Sequence, residues 1–254
     1  MFRSLPKSAA LYRLCMAYVN DYRGDNAFAI EENGELRLAQ RVLPRMKTAF
    51  DVGANVGDWT ELALQINPAL QIHCFEPTRS TFATLSAKPF PSTVHLNSVA
   101  LGDSGGEREL YVVGEGSGAN SLYRRTGVPS LAAGSQRVSV RTVDDYAAEH
   151  GIDAIDFLKI DVEGHELSVL RGARRMLGAG AIAVVQFEYG GSYIDSRALL
   201  KDVWDLVAAA DAGYTFYKIF PNELRRESEY LQTFETFQYS NWAIVRRDWE
   251  TLLS

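Results

Sequence analysis

The sequence predicts an α/β protein: a doubly wound, mostly parallel sheet with an antiparallel edge. Three observations carry that expectation. From Thr48 onward, short apolar runs alternate with stretches of helical period. The runs "IDFLKI" (155–160) and "AIAVVQF" (181–187) are almost continuously apolar, as strands covered on both faces must be. The runs "YTFYKIF" (214–220) and "NWAIVRR" (241–247) follow one another with no helical period between them, which predicts an antiparallel pair at one edge.

Residues 6 to 22 read as an amphipathic helix. Arg13 interrupts its apolar residues and no cleavage site follows, so it does not read as a signal peptide. "AFAIEENGELRLA" (27–39) reads as a hairpin turning through Asn33-Gly34. Helix and hairpin together make residues 1–45 an N-terminal extension packed on a main domain of residues 46–254. A strand ends at Asp51, and Trp59, Leu62, Ala63 and Ile66 then recur at i, i+3, i+4 and i+7, one face of a helix. "LQIHCF" (70–75) is a second strand, with a helix to about Ala87 after Pro77, and "VHLNSVAL" (94–101) is a third. After "IDFLKI" a helix carrying Leu170, Ala173 and Leu177 stops at Gly178, and residues 196–210 form another. Residues 114–137 are rich in Gly and Ser and have no period, which suits a lid, a binding loop or a plain surface insertion.

Composition narrows the partners. The chain has 254 residues, 46% hydrophobic and 23% charged, with a formal net charge of -6. A negative balance disfavours nucleic acid and anionic membrane as partners. No uncharged apolar run is long enough to span a bilayer, and the cytoplasm is the expected location. Cys15 and Cys74 both sit among apolar residues and are expected to be buried free thiols. Oligomeric state is not written in the sequence.

The chemistry starts at "AFDVGANVGDW" (49–59), where Gly53, Asn55 and Gly57 occupy alternate positions after a strand that ends on an acid. Glycine and asparagine are the residues that tolerate left-handed backbone. A loop between a first strand and its helix lies where doubly wound sheets bind ligands. The spacing is G-x-N-x-G, not the G-x-G-x-x-G of dinucleotide sites. Asp51 would moreover repel a pyrophosphate: like charges ~4 Å apart cost roughly 4 kcal/mol at an effective dielectric near 20. A cationic nucleoside such as S-adenosylmethionine meets no such penalty. Glu76 ends the second strand and is placed to accept bonds from ribose hydroxyls. Ser98, Val99 and Ala100 are candidates to flank an adenine. In "FLKIDVEGHELSVLRGA" (157–173) a buried strand delivers Asp161, Glu163 and His165 onto a turn beside that loop, with Gly164 supplying the bend.

These pieces, "FDVGANVGDWT", "FEP", "ALGDSGG", "VSVRTVDD" and above all "FLKIDVEGHELSVLRGA", resemble the FkbM-type methyltransferases over residues 48–190. The resemblance implies a Rossmann-like class I methyltransferase that uses S-adenosylmethionine, commonly to methylate a hydroxyl of a sugar or glycosylated natural product. Some similar enzymes methylate a peptide side-chain nitrogen. Carried over, Asp51, Gly53, Asn55, Gly57 and Glu76 match the cofactor loop and ribose acid, and Asp161, Glu163 and His165 match the second motif.

For the transfer itself, His165 is the first candidate base and Asp161 the second, with Asp161 also able to touch the cofactor. Glu188 ends a strand that should reach the same rim, with Tyr189 beside it as an acceptor contact; Asn120 and Ser121 are further acceptor contacts. Asp161, Glu163 and Glu188 form a candidate set for Mg²⁺, although three acids are not a specific metal signature. The acceptor is expected to be a small molecule or saccharide. Two other classes stay open: a nicotinamide-dependent oxidoreductase and a non-catalytic saccharide-binding module.

Overall fold

A computed structural model describes residues 8–114, 117–126 and 134–253. Among the described residues there are eleven strands: β1 Thr48–Val52, β2 Gln71–Phe75, β3 Val94–Asn97, β4 Ala100–Leu101, β5 Gly106–Val112, β6 Gly134–Arg141, β7 Ile155–Ile160, β8 Ile182–Tyr189, β9 Tyr214–Ile219, β10 Leu224–Glu227 and β11 Ser240–Arg246. Eight form the main sheet in the order β10-β9-β11-β8-β7-β1-β2-β3. Strands β3, β2, β1, β7 and β8 are parallel neighbours, and β11 runs antiparallel to both β8 and β9. The α/β doubly wound class and its antiparallel edge are therefore as the sequence indicates. From β1 the chain winds outward through β2 and β3, then returns to the other side of β1 at β7. The switch point thus lies between β1 and β7, at the carboxyl ends of their strands, where such sheets bind ligands.

Strand alternation decides what each face carries. Phe50, Val52, Leu158, Ile160, Val185 and Phe187 face a core built with helices Glu166–Arg171 and Leu200–Ala210. Ala49, Phe157 and Val184 face the opposite core, with helices Glu35–Val42 and Asp58–Ile66. That second face is also the one to which Asp51, Lys159, Gln186 and Glu188 belong by the same parity.

Several expectations are corrected. Residues 27–39 contain no strand: Gly34, at φ 94°, is the N-cap of helix Glu35–Val42, and the Asn33 side chain accepts from the Glu35 N–H at 2.9 Å. The chain bends at Asn33-Gly34 with only Gly34 left-handed, and Leu38, Ala39 and Val42 bury as a helical face beside Ala49 and Ile72, packing that selects helix over hairpin. Residues 94–101 are two strands in two sheets, because the chain leaves the main sheet after Asn97 and β4 pairs with β6. The small sheet β4-β6-β5 and strand β10 were not foreseen. The helix ending at Gly178 is broken into Glu166–Arg171 and Arg174–Gly178, and the one expected over 196–210 starts only at Leu200, after a separate short helix Ser192–Ser196 and a left-handed Arg197 at φ 57°.

The first helix, Ala9–Arg23, forms as read, and none of its side chains is fully buried. Cys15, on that helix, is exposed; Cys74 is buried. Of residues 114–137, positions 115–116 and 127–133 lie outside the described residues, 134–137 belong to β6, and 117–126 fold over the sheet edge. Among the described residues no helix is long and apolar enough to cross a membrane.

Candidate functional site

The glycine loop adopts the backbone its residues allow. Gly53, Asn55 and Gly57 have φ of 85°, 48° and 90°. A Cβ at Gly53 would sit 1.9 Å from the Asp161 carbonyl oxygen, so glycine there lets the loop lie against the end of β7. Glu76 is buried beside this loop, where Oε2 accepts from the Asn55 N–H at 3.1 Å and Oε1 from the Thr78 N–H at 2.7 Å. Burial raises its pKa, against those hydrogen bonds.

Glu76 closes one end of a cleft walled by Phe75, Ala100, Leu101, Leu110 and Leu122, with Asn55, Asn120, Asp161 and His165 among its polar lining. A second cleft opens between residues 28–35 and helix Asp58–Ile66, and reaches down to Asp51 and Lys159. The two meet at Gly53, Asn55 and Asp161.

At that meeting point the acids share one ammonium. Lys159 Nζ donates to Asp161 Oδ2 at 3.0 Å and lies 3.9 Å from Asp51 Oδ1. Burial would push the Lys159 pKa down, but Asp161, Asp51 and Glu35 outweigh it and the amine stays charged. Burial would likewise raise Asp161, yet Lys159 and a hydrogen bond with Glu188 hold it below its ordinary value. Burial raises Asp51 and Glu35, and burial with Asp161 raises Glu188 well above its own. Asp161 is thus held toward its ionised form, and Glu188, hydrogen-bonded to it, toward its protonated form. The Asp161 side chain keeps 42% of its surface exposed although it lies deep in the fold, because both clefts reach it.

The turn after β7 is held from several sides. Glu163 is left-handed at φ 54°, and Gly164 at φ 99° packs against the Ser192 backbone. Glu166 Oε1 accepts from the Val162 and Gly164 N–H groups at 3.1 and 3.2 Å, and burial pushes its pKa up to about 8. Residues 117–126 clasp this turn. Ser121 Oγ donates to the Glu163 carbonyl at 2.7 Å, Arg125 pairs with Glu163 and Asp195, and the Tyr123 hydroxyl meets His165 Nδ1 at 3.1 Å.

The structure brings Gly53, Asn55, Glu76, Ala100, Asn120, Asp161, Glu163 and His165 to the first cleft. Gly57 stands just outside it, packed against Leu85 and Phe90. Ser98 and Val99 are not in its lining: Ser98 is exposed and Val99 packs on the core. Asp51 lies behind the loop, completely buried, where Thr60 Oγ1 donates to Oδ2 at 2.8 Å; it borders the second cleft and not the first.

His165 is buried, with Nε2 against Gly102 and no partner for that nitrogen among the described residues. Burial lowers its pKa to about 4. Ser121 is buried and spent on the backbone of the turn. Tyr189 does not reach the rim: it is a core residue whose hydroxyl donates to Glu235 at 2.9 Å and accepts from the Phe237 N–H. Asp161, Glu163 and Glu188 do not fit Mg²⁺, since Lys159 and Arg125 already neutralise two of them, and no metal-holding cluster occurs among the described residues. Sequence reasoning missed Lys159, Glu35, Arg125, Tyr123 and Glu166. Only Lys159 and Glu166 carried a signal, as charges in a strand and a helix that are mostly apolar.

The reversal of winding at a glycine loop, with an acid at the end of the neighbouring strand, defines a Rossmann-like α/β protein of the methyltransferase type. The chain belongs to the FkbM methyltransferase family: the model of the Methyltransferase FkbM domain matches residues 51–216. It is 31% identical over 150 residues to the 31-O-demethyl-FK506 methyltransferase FkbM of Streptomyces tacrolimicus, covering 48% of this chain and 58% of that protein. This chain therefore spans less than two thirds of that relative. It is 25% identical over 186 residues to the hexuronic acid methyltransferase AglP of Haloferax volcanii, covering 72% of this chain and 71% of that one. The crystal structure of an FkbM methyltransferase from Methylobacillus flagellatus KT superposes with a TM-score of 0.50 at 19% identity, over 78% of this chain and 43% of the other, a likeness of fold.

Proposed function

We propose that this chain transfers a methyl group from S-adenosylmethionine to a hydroxyl of a sugar or glycosylated natural product. The observation that carries the reading is the junction at Asp161 of an apolar-walled cleft ending in Glu76 with an acid-lined cleft reaching Asp51 and Lys159. The names of the two relatives, one acting at an oxygen and one on a hexuronic acid, support the acceptor class.

The residues of the first cleft fit the cofactor. Two lone-pair sites of Glu76 are used by backbone N–H groups, which leaves the others for ribose hydroxyls. Phe75, Ala100, Leu101 and Leu110 supply apolar walls for a base. When bound, the cofactor supplies a methyl group on a cationic sulfur.

The chain's own contribution is alignment and proton transfer. Asp161, kept ionised by Lys159, accepts a hydrogen bond from the acceptor hydroxyl and then its proton; a positioned base contributes typically ~10²–10⁴-fold. His165 is less suited to that role, because Tyr123 engages Nδ1 and Nε2 lies buried against Gly102. The strap of residues 117–126 holds the turn carrying Glu163 and so fixes the wall beside Asp161, which serves alignment.

The test is direct. S-adenosylhomocysteine should raise the melting temperature by mass action, and Glu76→Ala should abolish the rise. Methyl-labelled cofactor should then deliver label to a glycoside oxygen, located by mass spectrometry. No shift at about 1 mM product would sink the reading.

A further inference from the structure

The second cleft is the larger unassigned feature of the molecule. Its mouth carries an aromatic pair, Phe28 and Tyr239, with ring centroids 4.6 Å apart and tilted by 35°. Phe28 is 70% exposed, an apolar face turned to water at the edge of a polar hollow. At the inner end Asp51 is wholly buried, and its Oδ1 has no hydrogen-bond partner among the described residues, the Lys159 ammonium standing 3.9 Å away. A buried acceptor atom left in that state costs free energy until a donor reaches it. The lining carries Glu31, Glu35, Asp51, Asp58, Glu61 and Asp161; among the described residues Lys159 is its one cation. Lys159 is already engaged with Asp161, and Asp58 and Glu61 pair with Lys88 outside the lining.

We propose that this second cleft is the acceptor subsite, and that it takes a hydroxylated ring bearing no negative charge. The proposal rests on the methyl-transfer reading for its catalytic meaning, while the binding it describes does not. The exposed Phe28 ring, with Tyr239 against it, supplies the flat apolar face on which a sugar ring stacks. The acids behind it accept from hydroxyl or ammonium groups, and Asp161 stands where this cleft meets the first. A carboxylated sugar would bring a like charge into a lining with no free cation among the described residues. Acceptor choice in this chain then differs from that of the relative named for hexuronic acid.

The experiment titrates three p-nitrophenyl glycosides, a glucoside, a glucosaminide and a glucuronide, into the full chain by NMR, with and without saturating S-adenosylhomocysteine. The glucosaminide and glucoside should bind, and the glucuronide should bind about tenfold more weakly or not at all. Phe28→Ala, a change at an exposed side chain, should weaken the two binders about fivefold and leave S-adenosylhomocysteine affinity unchanged. A glucuronide that binds as well as the glucoside, a Phe28→Ala variant with unaltered glycoside binding, or no glycoside binding at about 10 mM overturns the proposal. Failure of S-adenosylhomocysteine to bind wild-type protein overturns the methyl-transfer reading instead, and the two failures are separable because the glycosides are titrated in both states.

Discussion

Lys159, near the end of β7, and Asp161, the first residue beyond it, are joined by a 3.0 Å hydrogen bond. That pair sets the charge state of the whole junction. Without the ammonium, Asp51, Glu35, Asp161 and Glu188 would keep neutral donors such as Thr60 and Asn33 but lose the cation that they share. Lys159→Met keeps the length of the side chain and removes its charge. Breaking a buried pair from one side costs about 3–5 kcal/mol, and urea unfolding near neutral pH should show a loss of that order. The loss should shrink as pH falls and the orphaned acids take up protons. An unchanged midpoint would show that the ammonium does not hold the junction together.

Gly53 and Gly57 both have left-handed backbone, yet their substitutions should differ. Alanine at either position pays a backbone strain of about 1–3 kcal/mol. At Gly53 the new methyl also meets the Asp161 carbonyl oxygen, a backbone atom of a residue tied to β1 by the hydrogen bond from its N–H to the Val52 carbonyl at 2.9 Å. At Gly57 it meets Leu85 Cδ1 and Phe90 Cζ, at 2.7 and 2.9 Å, which are side-chain ends able to turn aside. Gly53→Ala should therefore lower the melting temperature more than Gly57→Ala and remove the response to S-adenosylhomocysteine. Equal effects would mean that the contact with Asp161 relaxes.

These two cases show what could be read from sequence and what could not. The loop was legible because positive φ is a local property, and Gly, Asn and Gly advertise it. The pairing of Asp51 with Lys159 was not, because it depends on β1 and β7 adopting one register across more than a hundred intervening residues. Tyr189 was misplaced for a simpler reason: Glu188 and Tyr189 are neighbours on β8, so they must point to opposite faces, and only Glu188 can share the face of Asp161. The Asn33-Gly34 signal leads into a helix and not a hairpin, because burial of Leu38 and Val42 outweighs it. The ion pair of Arg125 with Glu163 joins an aperiodic stretch to a turn, and no sequence period announces such a contact.

Two histidines should make the fold sensitive to acid. Burial lowers both His73 and His165 to about 4, with His95 and His150 reinforcing the effect at His73. Above the unfolded value near 6.5 both states are neutral and nothing is at stake. As pH falls from there toward 4, the unfolded chain takes up protons that the folded chain refuses, so stability is lost. The upper limit is about 3 kcal/mol for each histidine. His73→Asn and His165→Asn should each flatten the fall in melting temperature over that range relative to wild type. Variants whose profiles run parallel to wild type would show that the buried rings do not control it.

Glu166 should act in the opposite sense. Its folded pKa is raised to about 8 by burial, well above the 4.5 of an ordinary glutamate. Between those values the folded protein holds a proton that the unfolded chain has released. The stabilisation is complete below the lower value and is lost as pH rises through the upper one. Glu166→Gln keeps an acceptor for the Val162 and Gly164 N–H groups and has no proton to lose. Its melting temperature should gain on wild type steadily between about pH 5 and pH 8, and the gap should then level off. Glu166→Ala strips both N–H groups of their partner and should be less stable at every pH, by about 1–3 kcal/mol for each group left unsatisfied. The glutamine variant separates charge from shape. If its profile keeps the slope of wild type, the buried carboxyl is not the titrating group.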